Sequence, residues 1–372
     1  MINRIKDFPP SETNSRNSEG AFVTLKDGSI LFVYTRYNTT SQHDHAPADL
    51  YGAISTDNGN TFGEPFPVVL CKDIDKAENI MSVSLARLNN GDIGLFFARK
   101  SFHSTRKFIY NCQPCFLRST DEGKTWYDFQ VIDEDEEYLI LCNDKVLVRK
   151  DGVINFIVSE LEVHAKENGN GYEVMNYFPG KIKVYESADN GKTWNVCGKI
   201  DNIVNYAFGA LEPTGLVEPG VIEKQDGTLY SYFRTCLGYQ FESVSTDRGQ
   251  TWSEAHPSRF SSPHAPMTMK RLSNGDIIAV WNPTPVYNGR SQKFDGVWHG
   301  GRTLLVYAIS KDDGKTWLEM KEIENDETGG FCYPAIHETN DAILLGYCAG
   351  GVEDRGGCLT RLRISKILKS DL

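Results

Sequence analysis

One short pattern, S-x-D-x-G-x-T-[W/F], occurs five times in this chain of 372 residues, and we call each copy a box. Each box predicts a tight turn, because the Asp side chain accepts hydrogen bonds from backbone N–H groups a few residues on, while Gly supplies the positive φ that the turn needs. Thr and the aromatic residue then open the next strand. The boxes start between 58 and 68 residues apart: STDNGNTF (55–62), STDEGKTW (119–126), SADNGKTW (187–194), STDRGQTW (245–252) and SKDDGKTW (310–317).

A second series of segments alternates with the boxes. Each of its six members is a short turn of Asp, Asn or Gly followed by an apolar run rich in β-forming residues, which is a strong local signal for a β-hairpin. A box follows each of the first five hairpins. The hairpins are KDGSILFVY (26–34), NGDIGLFFA (90–98), KDGVINFIV (150–158), QDGTLYSYF (225–233), NGDIIAVW (274–281) and NDAILLGYC (340–348).

The two series together predict a repeated unit of strand, turn, strand, loop, strand, box and strand. Six such units account for all 372 residues in one domain, since repeated units share a continuous core and can exceed the usual domain length. Four-stranded units repeated around an axis form a propeller. We therefore predict an all-β, six-bladed β-propeller in a single domain (1–372), with blades over about 14–66, 78–131, 140–200, 214–257, 262–323 and 330–368.

The boxes resemble the Asp boxes, also called BNR repeats, of sialidases and their relatives, and the resemblance extends from about residue 14 to residue 365. It implies the same six-bladed propeller. Asp boxes also occur in proteins that are not sialidases, so the fold alone does not give the activity. The chemistry has to be argued from residues that would meet in a common pocket.

In a propeller, the start of the first strand and the end of the second strand of every blade lie at one face of the central channel. Two short segments per blade should therefore converge on one pocket. These segments are rich in Arg, Glu, Asp, Asn and Tyr, which favours a polar binding site. The candidates for substrate binding at these positions are Arg16, Arg36, Arg99, Asn143, Asp144, Arg234, His264 and Asn282.

The resemblance to sialidases implies a substrate with a carboxylate on its anomeric carbon. Planar guanidinium groups suit a carboxylate because they donate paired hydrogen bonds in its plane. That carboxylate would repel a carboxylate nucleophile, so these enzymes use a tyrosine, and a Glu takes its proton. At the matching positions the resemblance makes Tyr333 the nucleophile and Glu218 its activating base. Arg234 and Arg302 correspond to the second and third arginines of the family.

Two positions depart from the sialidase pattern. The first arginine of that family lies in an F-R-I-P-like motif, whereas this chain has SRNSEG, in which Arg16 is a candidate and Glu19 intrudes. The acid/base Asp normally closes the second strand of blade one, where this chain has Thr35 and Arg36. The following loop offers three alternative proton donors, and the sequence leaves all three open: Asp44, His45 and Asp49.

Charge and cysteine content bear on the partners and the compartment. The net charge of −11 and the lack of any basic run argue against nucleic-acid binding. No stretch approaches the roughly 18 apolar residues of a membrane span. The polar N-terminal segment lacks the apolar core of a signal peptide, so we expect a cytoplasmic protein unless a leader has been removed. Nine cysteines, an odd number, favour free thiols in a reduced compartment, and we expect no metal and no cofactor.

We therefore interpret the chain as an exo-acting glycoside hydrolase that removes a terminal acidic sugar from a glycan with retention of configuration. The sugar would be sialic acid or a related ulosonic or uronic acid. Two alternatives fit the same residues. The missing Asp at the end of the second strand favours a non-catalytic, glycan-binding propeller, and a Tyr beside charge-neutralising Arg also suits a polysaccharide lyase that acts on uronates.

Overall fold

The computed structural model of the protein describes residues 2–203, 215–285 and 292–372. These residues form strands, turns and three short 3-10 turns but no α-helix, so the prediction of an all-β chain is confirmed. Within the same residues, no helix is long and apolar enough to cross a membrane. The predicted blade boundary at residue 214 lies outside the described residues. The 3-10 turns are Cys71–Asp73, Val352–Asp354 and Lys369–Asp371.

The strands are numbered in chain order. The first group is β1 (Ile2–Phe8), β2 (Arg16–Thr24), β3 (Ile30–Tyr37), β4 (Asp49–Ser55), β5 (Phe66–Val69), β6 (Asn79–Arg87), β7 (Ile93–Phe102), β8 (Tyr110–Ser119) and β9 (Tyr127–Val131). The middle group is β10 (Tyr138–Ile140), β11 (Leu147–Val148), β12 (Ile154–Glu167), β13 (Tyr172–Ser187), β14 (Asn195–Ile200), β15 (Val217–Glu223), β16 (Leu229–Arg234), β17 (Tyr239–Ser245) and β18 (His256–Ser261). The last group is β19 (Thr268–Arg271), β20 (Ile277–Trp281), β21 (Lys293–Phe294), β22 (Val297–Trp298), β23 (Leu304–Ser310), β24 (Lys321–Asn325), β25 (Cys332–Glu338), β26 (Ala342–Cys348) and β27 (Leu362–Leu368).

Most of these strands form antiparallel sheets of four. Three such sheets have the orders β2-β3-β4-β5, β15-β16-β17-β18 and β19-β20-β23-β24. The strands from β6 to β14 form one nine-stranded sheet, because β10 pairs in parallel with β8 and antiparallel with β12 and so joins two units edge to edge. The short hairpin of β21 and β22 stands apart as a two-stranded sheet.

The last four-stranded sheet combines the two ends of the chain. Its order is β1-β27-β26-β25, with Ile2 opposite Ile367 and Phe8 opposite Leu362. The predicted first unit begins at about residue 14, so the N-terminal strand β1 belongs to none of the six predicted units. This pairing explains why the sixth hairpin is not followed by a box, since the fourth strand of its sheet comes from the other end of the chain.

The first strands of successive units contact one another in a cyclic order. β2 contacts β6, β6 contacts β11, β11 contacts β15, β15 contacts β19, β19 contacts β25, and β25 contacts β2. We call these six strands the ring strands. Apolar side chains fill the spaces between neighbouring sheets, as where the buried rings of Phe8 on β1 and Phe32 on β3 lie 6.1 Å apart between centroids. Burial of this apolar surface is the main force that holds the sheets together.

The boxes form the tight turns that their sequence predicts. In the first box, Asp57 accepts hydrogen bonds from the backbone N–H of Thr61 at 2.8 Å and from the Ser55 hydroxyl at 2.8 Å. Gly59 has φ 77° and lies against the next sheet, where a Cβ would approach Leu344 to 2.6 Å. The box therefore needs glycine both for its backbone and for its packing. The same Ser, Asp and Thr contacts recur at Asp121, Asp189, Asp247 and Asp312.

Candidate active site

Three ring strands carry a β-bulge at a residue that contributes an ionisable side chain to one cluster. Glu19 in β2, Glu218 in β15 and Tyr333 in β25 have φ values of 54°, 48° and 55°, and the pairing register shifts at each of them. Positive φ is uncommon for such residues, and a bulge re-aims the side chain that it carries. Behind the second bulge, Gly220 allows close packing, since a Cβ there would lie 2.3 Å from the ring of Tyr232.

The centre of the cluster is a tyrosine, a glutamate and an arginine in mutual contact. The Tyr333 hydroxyl donates a hydrogen bond to Glu218 Oε1 at 2.6 Å. Arg234 Nη1, at the end of β16, donates to Glu218 Oε2 at 2.7 Å and to Tyr333 Oη at 3.1 Å. One guanidinium nitrogen therefore holds both the carboxylate and the phenol oxygen. The bulges in two different ring strands are what bring these groups together.

Burial keeps the phenol of this cluster neutral. It raises the pKa of Tyr333 well above the ordinary value, and the negative charge of Glu218 acts in the same direction. The positive charges of Arg234 and Arg302 lower the pKa but do not outweigh the burial. The hydroxyl becomes a nucleophile only when a base takes its proton, and the carboxylate that already accepts its hydrogen bond is placed for that.

The Arg302 guanidinium lies over the ring of Tyr333. Its guanidinium carbon is 5.7 Å from the centre of the Tyr333 ring and 5.1 Å from that of Trp298, in the β21–β22 hairpin. Nη2 donates to the backbone carbonyl of His264 at 2.8 Å, and Nη1 lies 3.2 Å from the sulfur of Cys332. The arginine is thus buried and fixed on three sides.

A cavity of about 330 Å³ opens beside the two arginines, and Trp298, Gln292 and the exposed ring of His264 line it together with them. Nε of Arg234 and Nε of Arg302 are buried and have no hydrogen-bond partner among the described residues. Buried guanidinium donors are normally satisfied. Both arginines line the cavity, and an anionic ligand bound there would supply the hydrogen-bond acceptors that these two donors lack.

Arg16 forms a second group of charges next to this centre. Its Nη1 donates to Asp44 Oδ1 at 2.5 Å, its Nη2 lies 3.6 Å from Glu19 Oε1, and its guanidinium carbon lies 4.5 Å from the centre of the Tyr37 ring. Lys100 Nζ donates to the backbone carbonyl of Asp44 at 2.7 Å. Burial opposes ionisation of Asp44, but the charges of Arg16 and Lys100 hold its pKa well below the ordinary value.

Asn143 joins the two groups. Its amide nitrogen donates to the backbone carbonyl of Gly20 at 3.0 Å and to that of Tyr333 at 3.2 Å. The bulges of β2 and β25 are therefore tied together directly behind Glu19 and Tyr333. This predicted binding residue lies at the site but uses its amide to brace the backbone.

Two predicted arginines lie elsewhere. Arg36 donates to Asn38 Oδ1 at 3.1 Å and stacks over the ring of Tyr51, on the opposite face of β3 from Thr35. Arg99 donates to the backbone carbonyl of Asp75 and to the side chain of Gln113. The structure does not bring either guanidinium to the cluster, because alternation along a strand turns each of them to the side that faces away from it.

Two predicted binding residues have structural contacts. Asp144 also sits at a positive φ, but it accepts from Lys270 Nζ at 2.6 Å and from the backbone N–H of Ile336 at 2.8 Å. Asn282 donates to the backbone carbonyls of Leu304 at 2.7 Å and Phe331 at 2.8 Å. These side chains hold neighbouring ring segments in place.

The three loop residues predicted as proton donors differ in their surroundings. Asp44 pairs with Arg16, as described above. Asp49 accepts from the Cys71 backbone N–H at 2.7 Å and from the Asn38 side chain, so it fixes the strand edge. His45 stacks on Tyr110 with centroids 4.5 Å apart and contacts the Tyr138 hydroxyl at 3.1 Å, and burial lowers its pKa to about 4.

Sequence reasoning missed several residues at the site. Glu19 departs from the sialidase motif in the sequence, yet in the structure it occupies the same bulge position as the two central residues. Its signal was present in the sequence, since E-G-A at 19–21 parallels E-P-G at 218–220 and Y-P-A at 333–335. Trp298 and Cys332 carry no comparable local signal, because only the folded chain brings them to the arginines.

Known proteins with similar sequences and structures include several sialidases. A sialidase of Bacteroides fragilis (strain YCH46) is 23% identical in an alignment of 350 residues that covers 84% of this chain. One of Paraclostridium sordellii is 26% identical in an alignment of 253 residues that covers 63% of this chain. The chain spans 56% of the length of each of these relatives. The Hadza microbial sialidase Hz136 has a TM-score of 0.69 at 16% identity, covering 97% of this chain and 67% of its own. A protein of unknown function from Dyadobacter fermentans has a TM-score of 0.70 at 17% identity, covering 98% and 99% of the two chains.

The all-β fold, the boxes and these similarities define a protein of the sialidase superfamily. A family model described as a BNR repeat-like domain matches residues 67–346. The chain belongs to this BNR repeat-like family, which confirms the resemblance inferred from the boxes.

Proposed function

We propose that the protein is an exo-acting glycoside hydrolase that removes a terminal acidic sugar from a glycan, and that its sheets are the six blades of a propeller. The cyclic contacts of the ring strands support the propeller. The single observation that carries the activity is the contact of the Tyr333 hydroxyl with Glu218 at 2.6 Å beside two buried arginines.

The substrate class follows from the unmet donors. Arg234 and Arg302 line the cavity, and each has a buried Nε without a hydrogen-bond partner among the described residues. Arg16 Nη2, 3.6 Å from Glu19 Oε1, is a third buried nitrogen without a hydrogen-bond partner among these residues. A carboxylate accepts hydrogen bonds from guanidinium groups in a planar, paired geometry. We infer a sugar with a carboxylate at or next to its anomeric carbon, such as sialic acid or a related ulosonic or uronic acid.

The reaction begins at the phenol. The Tyr333 oxygen attacks the anomeric carbon while Glu218 accepts its proton, which avoids placing a carboxylate nucleophile next to the substrate carboxylate. Arg234, 3.1 Å from the same oxygen, stabilises the negative charge that develops on it. Water then hydrolyses the tyrosyl-glycoside, and two inversions give net retention.

The experiment compares the wild-type protein with Tyr333→Phe on aryl glycosides of several acidic sugars. The proposal predicts release of the sugar by the wild-type protein, with the anomer of retained configuration seen first by NMR. Loss of the hydroxyl should lower kcat/KM by at least about 10³-fold, as expected when a nucleophile is removed.

The alternatives give different results in the same assay. An unsaturated product that absorbs in the ultraviolet would identify a lyase, and binding of acidic sugars without any turnover would identify a glycan-binding protein. Phe331→Tyr serves as the matched control for changes in packing. Phe331 is buried and lies two positions before Tyr333, immediately before β25 begins. Unchanged turnover in Tyr333→Phe would contradict the proposed mechanism.

A further inference from the structure

The proposed roles leave one carboxyl group at the site without a function. Glu19 lies at the β2 bulge, and its side chain is only 4% exposed, compared with 11% for Glu218. The Asn143 amide ties the carbonyl of Gly20, the next residue, to that of Tyr333. Glu19 and the nucleophile therefore stand on adjacent ring strands whose bulges are fixed relative to each other.

Charged and polar groups face Glu19 from every element around it. Arg16 of its own strand lies 3.6 Å from Oε1, and the Ser82 hydroxyl of β6 lies 3.5 Å from Oε2. The other groups whose charges act on it are Asp44 in the loop after β3, Lys100 on β7 and Glu218 on β15, and Glu19 in turn acts on the phenol of Tyr333.

The proposed reaction needs a group that holds a proton at neutral pH and gives it to the leaving oxygen. Asp44 is held as the carboxylate by its ion pair with Arg16. Both oxygens of Asp49 accept hydrogen bonds that fix the strand edge. His45 is neutral at this pH, because burial lowers its pKa to about 4.

Glu19 meets the requirement that these three do not. Burial raises its pKa to about 7, with contributions in the same direction from the negative charges of Asp44 and Glu218, while Arg16 and Lys100 oppose the shift. A carboxyl group poised near the working pH both donates and accepts a proton readily. Its bulge is tied to that of the tyrosine through Asn143, and its charge acts on the Tyr333 phenol.

We propose that Glu19 is the acid/base residue of the reaction, an inference that rests on the proposed hydrolase function. In the first step the bond between the anomeric carbon and the leaving oxygen breaks as Tyr333 attacks. The leaving oxygen takes the Glu19 proton, and Glu218 takes the phenolic proton. In the second step the Glu19 carboxylate accepts a proton from the attacking water, and Glu218 returns its proton to the departing tyrosine oxygen.

The test compares Glu19→Gln and Asp44→Asn on two glycosides of one acidic sugar, one with a 4-nitrophenyl aglycone and one with a methyl aglycone. Nitrophenolate leaves without protonation, whereas methoxide needs the acid. Glu19→Gln should therefore lower kcat/KM on the methyl glycoside by about 10²- to 10⁴-fold and on the nitrophenyl glycoside by less than about tenfold. Asp44→Asn, which loses the partner of Arg16, should lower both by a similar factor.

Two results would overturn the assignment: equal losses on both substrates in Glu19→Gln, or the aglycone-dependent loss in Asp44→Asn instead. A pH series on the wild-type protein gives an independent measurement, because it needs no substitution that could disturb folding. The ratio of methyl glycoside turnover to nitrophenyl glycoside turnover should fall above about pH 7, because Glu19 then loses the proton that only the methyl glycoside needs. A constant ratio from pH 5 to 9 would also overturn the assignment. Nitrophenyl turnover that still requires Tyr333 would show that the hydrolase proposal survives the failure of this inference.

Discussion

The guanidinium of Arg302 rests on a sulfur atom, with Nη1 3.2 Å from Cys332 Sγ. Cys332 pairs across the sheet with Cys348, and Cys358 packs in the same buried cluster. Burial opposes ionisation of Cys332, but hydrogen bonds from the other two thiols and the charge of Arg302 lower its pKa well below the usual range. The sulfur of Cys332 therefore lies beside this arginine at a position where a carboxylate would be expected.

The first prediction concerns this contact. Cys332→Ser replaces the sulfur by a smaller hydroxyl, so Arg302 loses its contact with the sulfur, an interaction worth about 1.5 kcal/mol. We expect KM for an anionic glycoside to rise about tenfold while kcat stays within about threefold. Cys71→Ser, in a 3-10 turn away from the cluster, is the matched control. An unchanged KM would show that the sulfur does not hold the arginine.

The second prediction concerns the shared contact of Arg234. Its Nη1 donates to both Glu218 and Tyr333, so Arg234→Lys keeps the charge but loses the planar fork that reaches two acceptors. We expect kcat/KM to fall by about 10²-fold. Arg259→Lys, on the outer strand β18, should change it by less than about twofold. Equal behaviour of the two variants in steady-state kinetics would argue against the role of Arg234.

The third prediction is a pH dependence of stability that does not require activity. The folded state raises the pKa of Glu19 from 4.5 to about 7. Between these two values the unfolded chain ionises while the folded protein keeps the proton, so stability is lost as the pH rises through this window. The loss from this one group is about 3 kcal/mol at pH 8.

Chemical denaturation of Glu19→Gln measures this loss, since glutamine is neutral at every pH. The variant and the wild-type protein should have similar free energies of unfolding at pH 4, and the variant should be the more stable of the two at pH 8. A constant difference between the two proteins over this range would mean that Glu19 ionises normally in the folded state.

The fourth prediction concerns the strand that joins the chain ends. Asp7 on β1 accepts from Arg363 at 2.8 Å and 2.9 Å and from Arg361 at 2.9 Å. Burial opposes its ionisation, but these two arginines lower its pKa. Asp7→Asn should therefore cost about 2 kcal/mol in the free energy of unfolding at pH 7.

The pH dependence of this cost has the opposite sign to that of Glu19. A carboxylate whose pKa is lowered by folding stabilises the protein above the unfolded pKa of about 4, and that stability is lost as the pH falls below it. The difference between Asp7→Asn and the wild-type protein in urea denaturation should therefore shrink at pH 3. A difference that is the same at pH 3 and pH 7 would contradict the role of the ion pairs.

The all-β class and the turns of the boxes were predictable because their signals are local. A box needs only eight consecutive residues to specify its turn, and the contacts of Asp57 with Ser55 and Thr61 all lie within that segment. The pairing of β1 with β27 was not predictable in the same way. Its partners are more than 350 residues apart, as with Ile2 and Ile367, and β1 carries no turn motif to reveal its sheet.

The candidate site was predictable only where a residue keeps its place in a repeated unit. Glu218, Arg234 and Tyr333 fall at the strand ends that the predicted propeller topology marks, and the structure brings them together. Arg36 also falls at a strand end, but the alternation of side chains turns it to the other face. Glu19 shows the converse, since a bulge of one residue decides which way a side chain points, and the apolar pattern does not reveal it.

The most direct test of the account is to trap the glycosyl-enzyme. A 2,3-difluoro derivative of the acidic sugar forms the covalent bond quickly and loses it slowly, so peptide mapping by mass spectrometry can locate the sugar. We expect one adduct per chain, on Tyr333, in the wild-type protein and none in Tyr333→Phe. An adduct on another residue, or inhibition by the same compound without any adduct, would contradict a tyrosine nucleophile activated by Glu218.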